Sequence, residues 1–214
     1  MSNATPTVFV VDDDISVRES LEALIRFEGW HAETFGSGQD FLARPRMFSP
    51  SCLVLDVSLP DLNGLDLQKV VAADRNEMPI IFITGHGDVP MTVKAMKAGA
   101  VEFLEKPVDS DALLDAIRSA LERSFATLDR ESETQALRDR YALLSRRERE
   151  VMTLVVSGLG NKQVGFKLGI SEITVKAHRG KVMRKMNVDS LADLVKTSVR
   201  LRSITQTSAR TAFR

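Results

Sequence analysis

The chain has 214 residues, 43% of them hydrophobic, which is enough to bury more than one compact core and excludes disordered and fibrous classes. Its formal net charge is zero, but residues 1–126 hold 11 Lys and Arg against 20 Asp and Glu, whereas residues 127–214 hold 18 against 9. This split is typical of an acidic domain joined to a basic domain that binds a polyanion, most simply nucleic acid.

The sequence gives no sign of membrane insertion, export or disulfide bonding. No segment approaches the roughly 18 uninterrupted apolar residues of a membrane span, and the N-terminus lacks the pattern of a signal peptide. The single cysteine, Cys52, excludes a disulfide framework and a cysteine-based zinc site. We therefore expect a cytoplasmic protein with no membrane partner, and we leave residues 1–4 out of the fold prediction.

The first 125 residues alternate short apolar runs with amphipathic stretches, which is typical of βα units around a parallel sheet. The predicted strands are Val8–Val11, His31–Phe35, Cys52–Asp56, Ile80–Thr84 and Val101–Leu104. A helix is predicted after the first strand, because Val17, Leu21, Leu24 and Ile25 share one helical face, and others at about 37–43, 64–75, 88–98 and from 108 onward. This predicts an α/β fold with a five-stranded, doubly wound parallel sheet.

A helical pattern continues beyond Pro107 and becomes strongly polar over residues 129–140, without Pro or Gly. We predict one long linker helix, since a flexible tether, the alternative, is usually rich in Gly, Ser and Pro. The predicted domains are residues 5–125, a helical linker at 126–143 and an all-α domain at 144–204.

Four short helices are predicted in the last domain from their caps. Ser145 and Glu148 have the spacing of a capping box, Asn161 and Ser171 can cap the second and third helices, and Ser190 the fourth. Gly169 can end the second helix. The turn at residues 168–171 between two short helices is typical of a helix-turn-helix.

Charged and polar residues follow the predicted strands of the first domain. Asp12 and Asp13 follow the first strand, Asp56 ends the third, Thr84 ends the fourth, and Lys106 follows the fifth. Each alone has a simpler explanation as a helix cap, a turn residue or a solvated side chain. Together they should converge at the carboxyl edge of the sheet, where crowded carboxylates require a divalent cation or a lysine to neutralise them.

This set of residues predicts a phosphoryl-acceptor site. A hard cation such as Mg²⁺ prefers carboxylate and carbonyl oxygens, so it can be held beside Asp56. The cation and Lys106 can then shield a phosphoryl group attached to the Asp56 carboxylate, while Thr84 donates a hydrogen bond to it. Gly85 and Gly87 leave the loop after Thr84 free to move.

The sequence resembles the receiver domain of response regulators. The resemblance rests on Val10-Val11-Asp12-Asp13-Asp14, Leu55-Asp56, Leu59-Pro60-Asp61-Leu62-Asn63-Gly64, Thr84-Gly85-His86-Gly87-Asp88-Val89-Pro90 and Glu105-Lys106-Pro107, and residues 83–107 resemble the FixJ branch. It implies that Asp56 is the phosphoacceptor, that Asp12, Asp13, Asp56 and the Ser58 carbonyl organise Mg²⁺, and that Thr84 and Lys106 contact the phosphoryl group. It further implies a sensor histidine kinase as donor, Phe103 as a switch aromatic unless it is an ordinary strand residue, and a cis Lys106–Pro107 bond.

The third helix of the basic domain is predicted to have a packing face and a cationic face. Val175, Val182 and Met186 share the first face. The second carries Ile173, Lys176, Ala177, Gly180, Lys181 and Arg184. A solvated charged face would look similar, but the small residues favour close approach to a groove of DNA.

This domain resembles the LuxR/FixJ-type helix-turn-helix. The resemblance rests on Leu144-Ser145-Arg146-Arg147-Glu148-Arg149-Glu150-Val151, Gly158 to Val164, Leu168-Gly169-Ile170-Ser171 and Thr174-Val175-Lys176-Ala177-His178-Arg179. It implies that the third helix enters the major groove and that the domain binds as a dimer. The candidate DNA contacts are Lys162, Thr174, Lys176, Ala177, Gly180, Lys181 and Arg184. Two glycines are departures from the family pattern or from favourable helix composition. Gly165 stands where the family usually has Ala, and Gly180 lies in the middle of the third helix, where Gly is less favourable than Ala.

The combined prediction is a two-component response regulator that dimerises on phosphorylation, binds promoter DNA and works with RNA polymerase. We expect no enzymatic activity beyond accepting the phosphoryl group and slow self-dephosphorylation. An Asp-nucleophile phosphatase is disfavoured because Ser58 stands where such enzymes have a second Asp. A DNA-binding regulator whose receiver fold no longer responds to phosphate is the closer alternative.

Overall fold

The computed structural model describes residues 5–85 and 87–211, with side chains up to residue 203. His86, in the predicted loop after Thr84, lies outside the described residues. The chain divides into two compact units, Met1–Arg130 and Glu131–Arg214. The division falls inside the segment predicted as the linker.

The first unit contains a five-stranded parallel sheet, which confirms the predicted fold class. Its strands are β1 (Thr7–Val11), β2 (His31–Phe35), β3 (Ser51–Asp56), β4 (Ile80–Thr84) and β5 (Glu102–Glu105), in the order β2-β1-β3-β4-β5. The three central strands are buried along their whole length, which explains their nearly continuous apolar sequences.

The strand bounds differ from the prediction by one residue at several ends. β1 and β3 begin earlier because Thr7 and Ser51 are buried and pair in register, although their polar side chains hide them from a hydrophobic pattern. β5 begins and ends one residue later than predicted, and its last residue, Glu105, pairs with Thr84.

Five helices follow the strands of this unit, with the last continuing into the second unit. They are α1 (Ile15–Phe27), α2 (Gly38–Ala43), α3 (Gly64–Asp74), α4 (Val89–Lys97) and α5 (Ser110–Ala142). The first four helices have side-chain caps, from Asp14, Ser37, Asn63 and Asp88, each accepting a hydrogen bond from a backbone N–H of the first turn. The unbroken helix from 110 to 142 agrees with the predicted helix rather than with a flexible tether.

The helices cover both faces of the sheet and enclose two hydrophobic cores. On one face α1 and α5 pack on the sheet through residues such as Ile25 and Ile117. On the other face Phe41, Leu67 and Ala95 bring α2, α3 and α4 against it. Because all the strand pairs are parallel, the carboxyl ends of the strands share one edge of the sheet.

The second unit is built from helices around its own core, as predicted. After the end of α5 come α6 (Arg146–Val156), α7 (Asn161–Leu168), α8 (Glu172–Met186) and α9 (Leu191–Thr211). Val151, Val164 and Val182 are buried at the centre. The helix α9 runs to Thr211, beyond the end at residue 204 predicted for this domain.

The predicted caps of the second unit are confirmed with one exception. Ser145 and Glu148 form a capping box, Ser171 caps α8, and Gly169 ends α7 with a left-handed conformation, φ 66°. Asn161 is not the cap of α7: the N-cap is Gly160, whose N–H donates to the Gln163 side chain. The Asn161 side chain instead accepts a hydrogen bond from Arg179 of α8.

Candidate functional site

Three carboxylates meet at the carboxyl edge of the sheet. Asp12 follows β1 and Asp56 ends β3, and these neighbouring strands pair in register at Val11 and Leu55. One oxygen each of Asp12, Asp13 and Asp56 lies within 4.8 Å of the others. Asp12 and Asp56 are buried whereas Asp13 is exposed, so the cluster has a buried floor and an open side.

Lys106 neutralises the buried part of this cluster. Its Nζ lies 2.7 Å from Asp12 Oδ2 and 2.6 Å from Asp56 Oδ2. Partial burial opposes the lysine charge, but the hydrogen bonds to the two carboxylates outweigh it, so the pKa of Lys106 is raised. Burial also raises the pKa of Asp12 above its usual value. The Lys106–Pro107 peptide bond is cis.

The remaining carboxylate oxygens are held by the backbone. The Asp14 N–H donates to Asp12 Oδ1 and the Ser58 N–H donates to Asp56 Oδ1, both at 2.9 Å. The Arg18 guanidinium donates to the Asp12 carbonyl at 2.7 Å. Each buried carboxylate therefore has one oxygen fixed by its own loop and one directed at Lys106.

Gly64 lets the start of α3 approach the end of β3. A Cβ at Gly64 would lie 2.6 Å from the Asp56 carbonyl oxygen and 2.9 Å from the Val57 Cα, both backbone atoms. Glycine is therefore a steric requirement here rather than a source of flexibility. The Asn63 side chain caps the same helix by accepting from the Leu65 N–H.

The donor set of the cluster fits a hard divalent cation. It consists only of carboxylate oxygens, which Mg²⁺ prefers, and no soft sulfur or imidazole ligand takes part among the described residues. The Ser58 carbonyl, which the sequence predicted as a further ligand, belongs to the exposed residue whose N–H holds Asp56. Asp12, Asp13, Asp56 and Ser58 are thus the residues that could hold the metal.

The predicted switch residues lie on neighbouring strands. Thr84 ends β4 and is buried, while Phe103 on β5 is half-buried and pairs in register with Phe82, with ring centroids 6.1 Å apart. A Cβ at Gly87 would lie 3.3 Å from Thr84 Cγ2 and 3.1 Å from the Phe103 ring. Gly87 was predicted to leave the loop free to move. In the structure, a side chain at this position would crowd both Thr84 and Phe103.

The packing face and the cationic face predicted for the third helix of the basic domain are both found on α8. Val175, Val182 and Met186 are buried in the core. The residues predicted for the other face are exposed, namely Ile173, Lys176, Ala177, Gly180, Lys181 and Arg184. Thr174 is half-buried and its hydroxyl lies 2.8 Å from that of Ser171. Lys162 is exposed in the first turn of α7.

Several positioning residues of this unit were not predicted. Arg179 joins α8 to Asn161 at 2.7 Å, and Arg147 of α6 donates to the Leu168 carbonyl at the end of α7. Lys185 of α8 donates to Glu148 of α6 at 2.7 Å. A periodicity analysis cannot find such pairs, because they join residues 18 to 37 positions apart.

Gly165 and Gly180, the two departures noted in the sequence, have different surroundings. A Cβ at Gly165 would lie 2.7 Å from the carbonyl oxygen of Ile170 in the turn, whereas a Cβ at Gly180 would meet nothing within 4 Å. Gly165 is therefore required by the close crossing of α7 and the turn. Gly180 has no such requirement in the structure.

Two family models match the chain, the response regulator receiver domain over residues 8–118 and the luxR family of bacterial regulatory proteins over residues 142–198. Nodulation protein W of Bradyrhizobium diazoefficiens is 51% identical over 89% of this chain and 84% of that protein. Response regulator protein TodT of Pseudomonas putida is 43% identical over 94% of this chain and 89% of its own length.

Solved structures are similar over the same span. The response regulator StyR has 47% sequence identity and a TM-score of 0.86, covering 92% of this chain and 100% of that chain. Full-length FixJ from B. japonicum has 40% identity and a TM-score of 0.54, covering 92% of this chain and 97% of its own. Among the described residues, no helix is both long and apolar enough to cross a membrane.

Proposed function

The chain belongs to the response regulators that join a receiver domain to a LuxR-type DNA-binding domain, and on that premise we propose that phosphorylation of Asp56 controls its binding to promoter DNA. The proposed phosphoryl donor is a sensor histidine kinase. The proposed place of action is the cytoplasm, where the protein can reach both the kinase domain and the promoter. The observation that carries the proposal is Lys106, whose ammonium lies between the buried carboxylates of Asp12 and Asp56.

Asp56 is suited to be the nucleophile because of how its two oxygens are held. Oδ1 accepts from the Ser58 N–H and Oδ2 from Lys106, so the carboxylate is oriented before any donor arrives. In the proposed step an Asp56 oxygen attacks phosphorus of the phosphohistidine, a P–O bond forms, and the P–N bond breaks with its electron pair returning to the imidazole. The Lys106 ammonium, which donates to the carboxylate before the transfer, can then donate to the phosphoryl oxygens and stabilise their negative charge.

The metal in this proposal is Mg²⁺, held by Asp12, Asp13, Asp56 and the Ser58 carbonyl. When bound, it supplies neutralising charge to the transferring phosphoryl group. Asp12 and Asp13 differ in exposure, since Asp12 is buried and contacts Lys106 whereas Asp13 is exposed to solvent. The exposed Asp13 leaves room for the water molecules that Mg²⁺ usually keeps.

The proposed switch runs from Thr84 to Phe103. A phosphoryl group at Asp56 would draw the Thr84 hydroxyl towards it and give the half-buried Phe103 space to turn inward. Gly87 supports this coupling because a side chain at this position would crowd both Thr84 and Phe103. The helix α4 also carries exposed apolar residues, Val89 and Val93, four positions apart on one side of the helix.

Dimerisation is the proposed consequence of this switch. Exposed apolar side chains on α4 are a natural contact for a second copy, and the proposed interface consists of α4, β5 and α5. Light scattering with and without a phosphoryl mimic tests it. A mass that stays constant over micromolar concentrations, while DNA affinity rises, would instead support release of an inhibitory contact between domains.

The proposed output is recognition of promoter DNA by α8 and recruitment of RNA polymerase. Exposed Lys176, Lys181 and Arg184 supply positive charge along α8, and Lys162 supplies it at the start of α7. We infer no enzymatic role beyond phosphoryl acceptance and slow self-dephosphorylation.

The deciding experiment is labelling of the full chain by a small acyl-phosphate donor with Mg²⁺. Asp56→Asn should abolish labelling, because an amide cannot attack phosphorus, and Asp13→Ala should weaken Mg²⁺ binding. Asp66→Asn, which changes an exposed carboxylate of α3, is the matched control and should be labelled like the wild type. Labelling of the Asp56→Asn variant at the wild-type rate would refute the assignment.

Selection of DNA sequences from a library tests the alternative, a regulator whose DNA binding does not depend on phosphorylation. Binding to a randomised promoter library is compared with and without the acyl-phosphate donor, for the wild type and Asp56→Asn. The proposal expects the donor to raise wild-type affinity only. Equal binding in all four conditions would favour the phosphorylation-independent regulator.

A further inference from the structure

One line of exposed residues runs along α8 opposite its buried face. Ile173, Ala177, Gly180 and Arg184 are separated by four, three and four positions, so they lie on one side of the helix. All four are exposed, and Val175, Val182 and Met186 on the opposite side are buried. We call Ile173, Ala177, Gly180 and Arg184 the ridge of α8.

Most of this ridge has no side-chain hydrogen-bonding group. Ala177 and Gly180 present only a methyl group and backbone, and nothing lies within 4 Å of where a Gly180 Cβ would be. Lys176 and Lys181 are not part of the ridge but lie on either side of it. The ridge can therefore approach base edges closely. Of its four residues, only Arg184 has a side chain that can form hydrogen bonds with them.

Ile173 is the apolar residue that projects from the ridge. It is 80% exposed in the first turn of α8, directly after the cap residue Ser171 and Glu172. The next residue, Thr174, is turned towards the cap by its contact with the Ser171 hydroxyl. The start of the helix thus exposes a large β-branched hydrocarbon on a face whose other long side chains are cationic.

DNA is the partner whose chemistry suits this combination. The positive charge of the flanking Lys176 and Lys181 favours a polyanion, and the major groove presents one apolar feature to a helix, the C5-methyl group of thymine. An isoleucine entering the groove has no hydrogen-bonding partner there, so its favourable contact is with that methyl group.

We propose that Ile173 recognises a thymine by contact with its methyl group. The part of the ridge from Ile173 to Gly180 would then select DNA sequences by the position of thymine methyl groups and by the shape of the groove. This inference rests on the proposed function, in which α8 enters the major groove. It assigns to Ile173 a role in specificity beyond the lysines and the small residues of the same helix.

The test removes single methyl groups from the DNA. The duplex that the phosphorylated full-length protein binds best in a randomised library is resynthesised with each thymidine replaced in turn by deoxyuridine, which keeps every hydrogen-bonding group. Wild-type affinity should fall roughly fourfold at one position per half-site, the factor for one buried methyl group. Ile173→Ala should lose a similar factor per half-site on the unmodified duplex, about 16-fold for a dimer on two half-sites, and nothing more from deoxyuridine at that position.

Two further variants complete the cycle. Leu143→Ala removes another exposed apolar side chain of the same unit, 66% exposed and outside α8, and should keep the wild-type deoxyuridine profile. Ile173→Val shortens the side chain, retains binding and should show a reduced penalty at the same position. Ala is a better helix former than Ile, so the Ile173→Ala variant should remain folded.

The proposal is overturned if the wild type tolerates deoxyuridine at every position, or if Ile173→Ala keeps the full wild-type penalty. Failure of the proposed function looks different, because the wild type would then select no sequence from the library, or would bind the selected sequence equally with and without the acyl-phosphate donor.

Discussion

The Lys106 ammonium lies 2.6 Å from the Oδ2 of Asp56 at the carboxyl edge of the sheet. Since the same ammonium contacts the fully buried Asp12, Lys106→Gln leaves two close carboxylates without a counter-charge. We expect the variant receiver to unfold at a lower temperature without Mg²⁺, and Mg²⁺ to raise its melting temperature by more than it raises that of the wild type.

The same variant should also accept a phosphoryl group from a small donor about 10- to 100-fold more slowly, because one preorganised donor to the phosphoryl oxygens is lost. Lys69→Gln is the control, since that lysine pairs with Asp66 on the surface of α3. Calorimetry and labelling are the measurements. Equal Mg²⁺ responses of Lys106→Gln and Lys69→Gln would contradict the role given to Lys106.

Glu148 of α6 provides a pH-dependent link to α8. A hydrogen bond from Lys185, together with the Ser145 N–H, lowers the pKa of Glu148 from 4.5 to about 2. A carboxylate whose pKa is lowered by folding stabilises the protein above its unfolded pKa, and this stability is lost as the pH falls from about 4.5 towards 2.

Glu148→Gln should therefore destabilise the second unit by about 1–3 kcal/mol at pH 7 and by less at acidic pH, since Gln keeps the cap but not the charge. Glu150→Gln, whose Arg146 and Arg147 partners are at the surface, should change stability much less than Glu148→Gln does. Unfolding curves from pH 7 to pH 3 measure both. A Glu148→Gln deficit that does not shrink with acid would show that the charge is not responsible.

The two unusual glycines should respond to alanine in opposite directions. Gly180→Ala adds a Cβ in open space and should stabilise α8 by about 1 kcal/mol. Gly165→Ala places a Cβ 2.7 Å from the Ile170 carbonyl oxygen, so the overpacking should outweigh the helix propensity and destabilise the unit. Chemical denaturation of the full chain compares them, and stabilisation by both substitutions would rule out the steric account of Gly165.

The position of each cation should determine which kind of DNA contact it makes. Lys176→Ala and Lys181→Ala should relax sequence preference, since a Lys on a guanine edge contributes about 1–3 kcal/mol of discrimination. Lys162→Ala should weaken binding to all sequences about equally, because a cation in the first turn of α7 is expected to contact phosphate, and should reduce the slope of log K against log salt by about one per contact. Selections at two salt concentrations test this, and a changed preferred sequence for Lys162→Ala alone would mean that α8 docks differently.

Much of the fold followed from local pattern. Central strands such as β3 and β4 are apolar throughout because both faces of the sheet are covered, and capping residues such as Ser145 and Ser171 mark helix starts by satisfying free N–H groups. The burial of Val175, Val182 and Met186 likewise followed from helical periodicity. The prediction of Asn161 as a cap was wrong, because Gly160 fills that position and Arg179 of α8 binds the Asn161 side chain.

The sequence by itself determined which residues stand at the strand ends and on the exposed face of α8, because strand and helix periods are local properties of the chain. Only the tertiary structure decided that Lys106 contacts Asp12 and Asp56, that Gly64 must lack a side chain beside the Asp56 carbonyl, and that Lys185 is paired with Glu148. These contacts join residues that are separated in the chain, and their distances depend on how the elements pack, which no local period encodes.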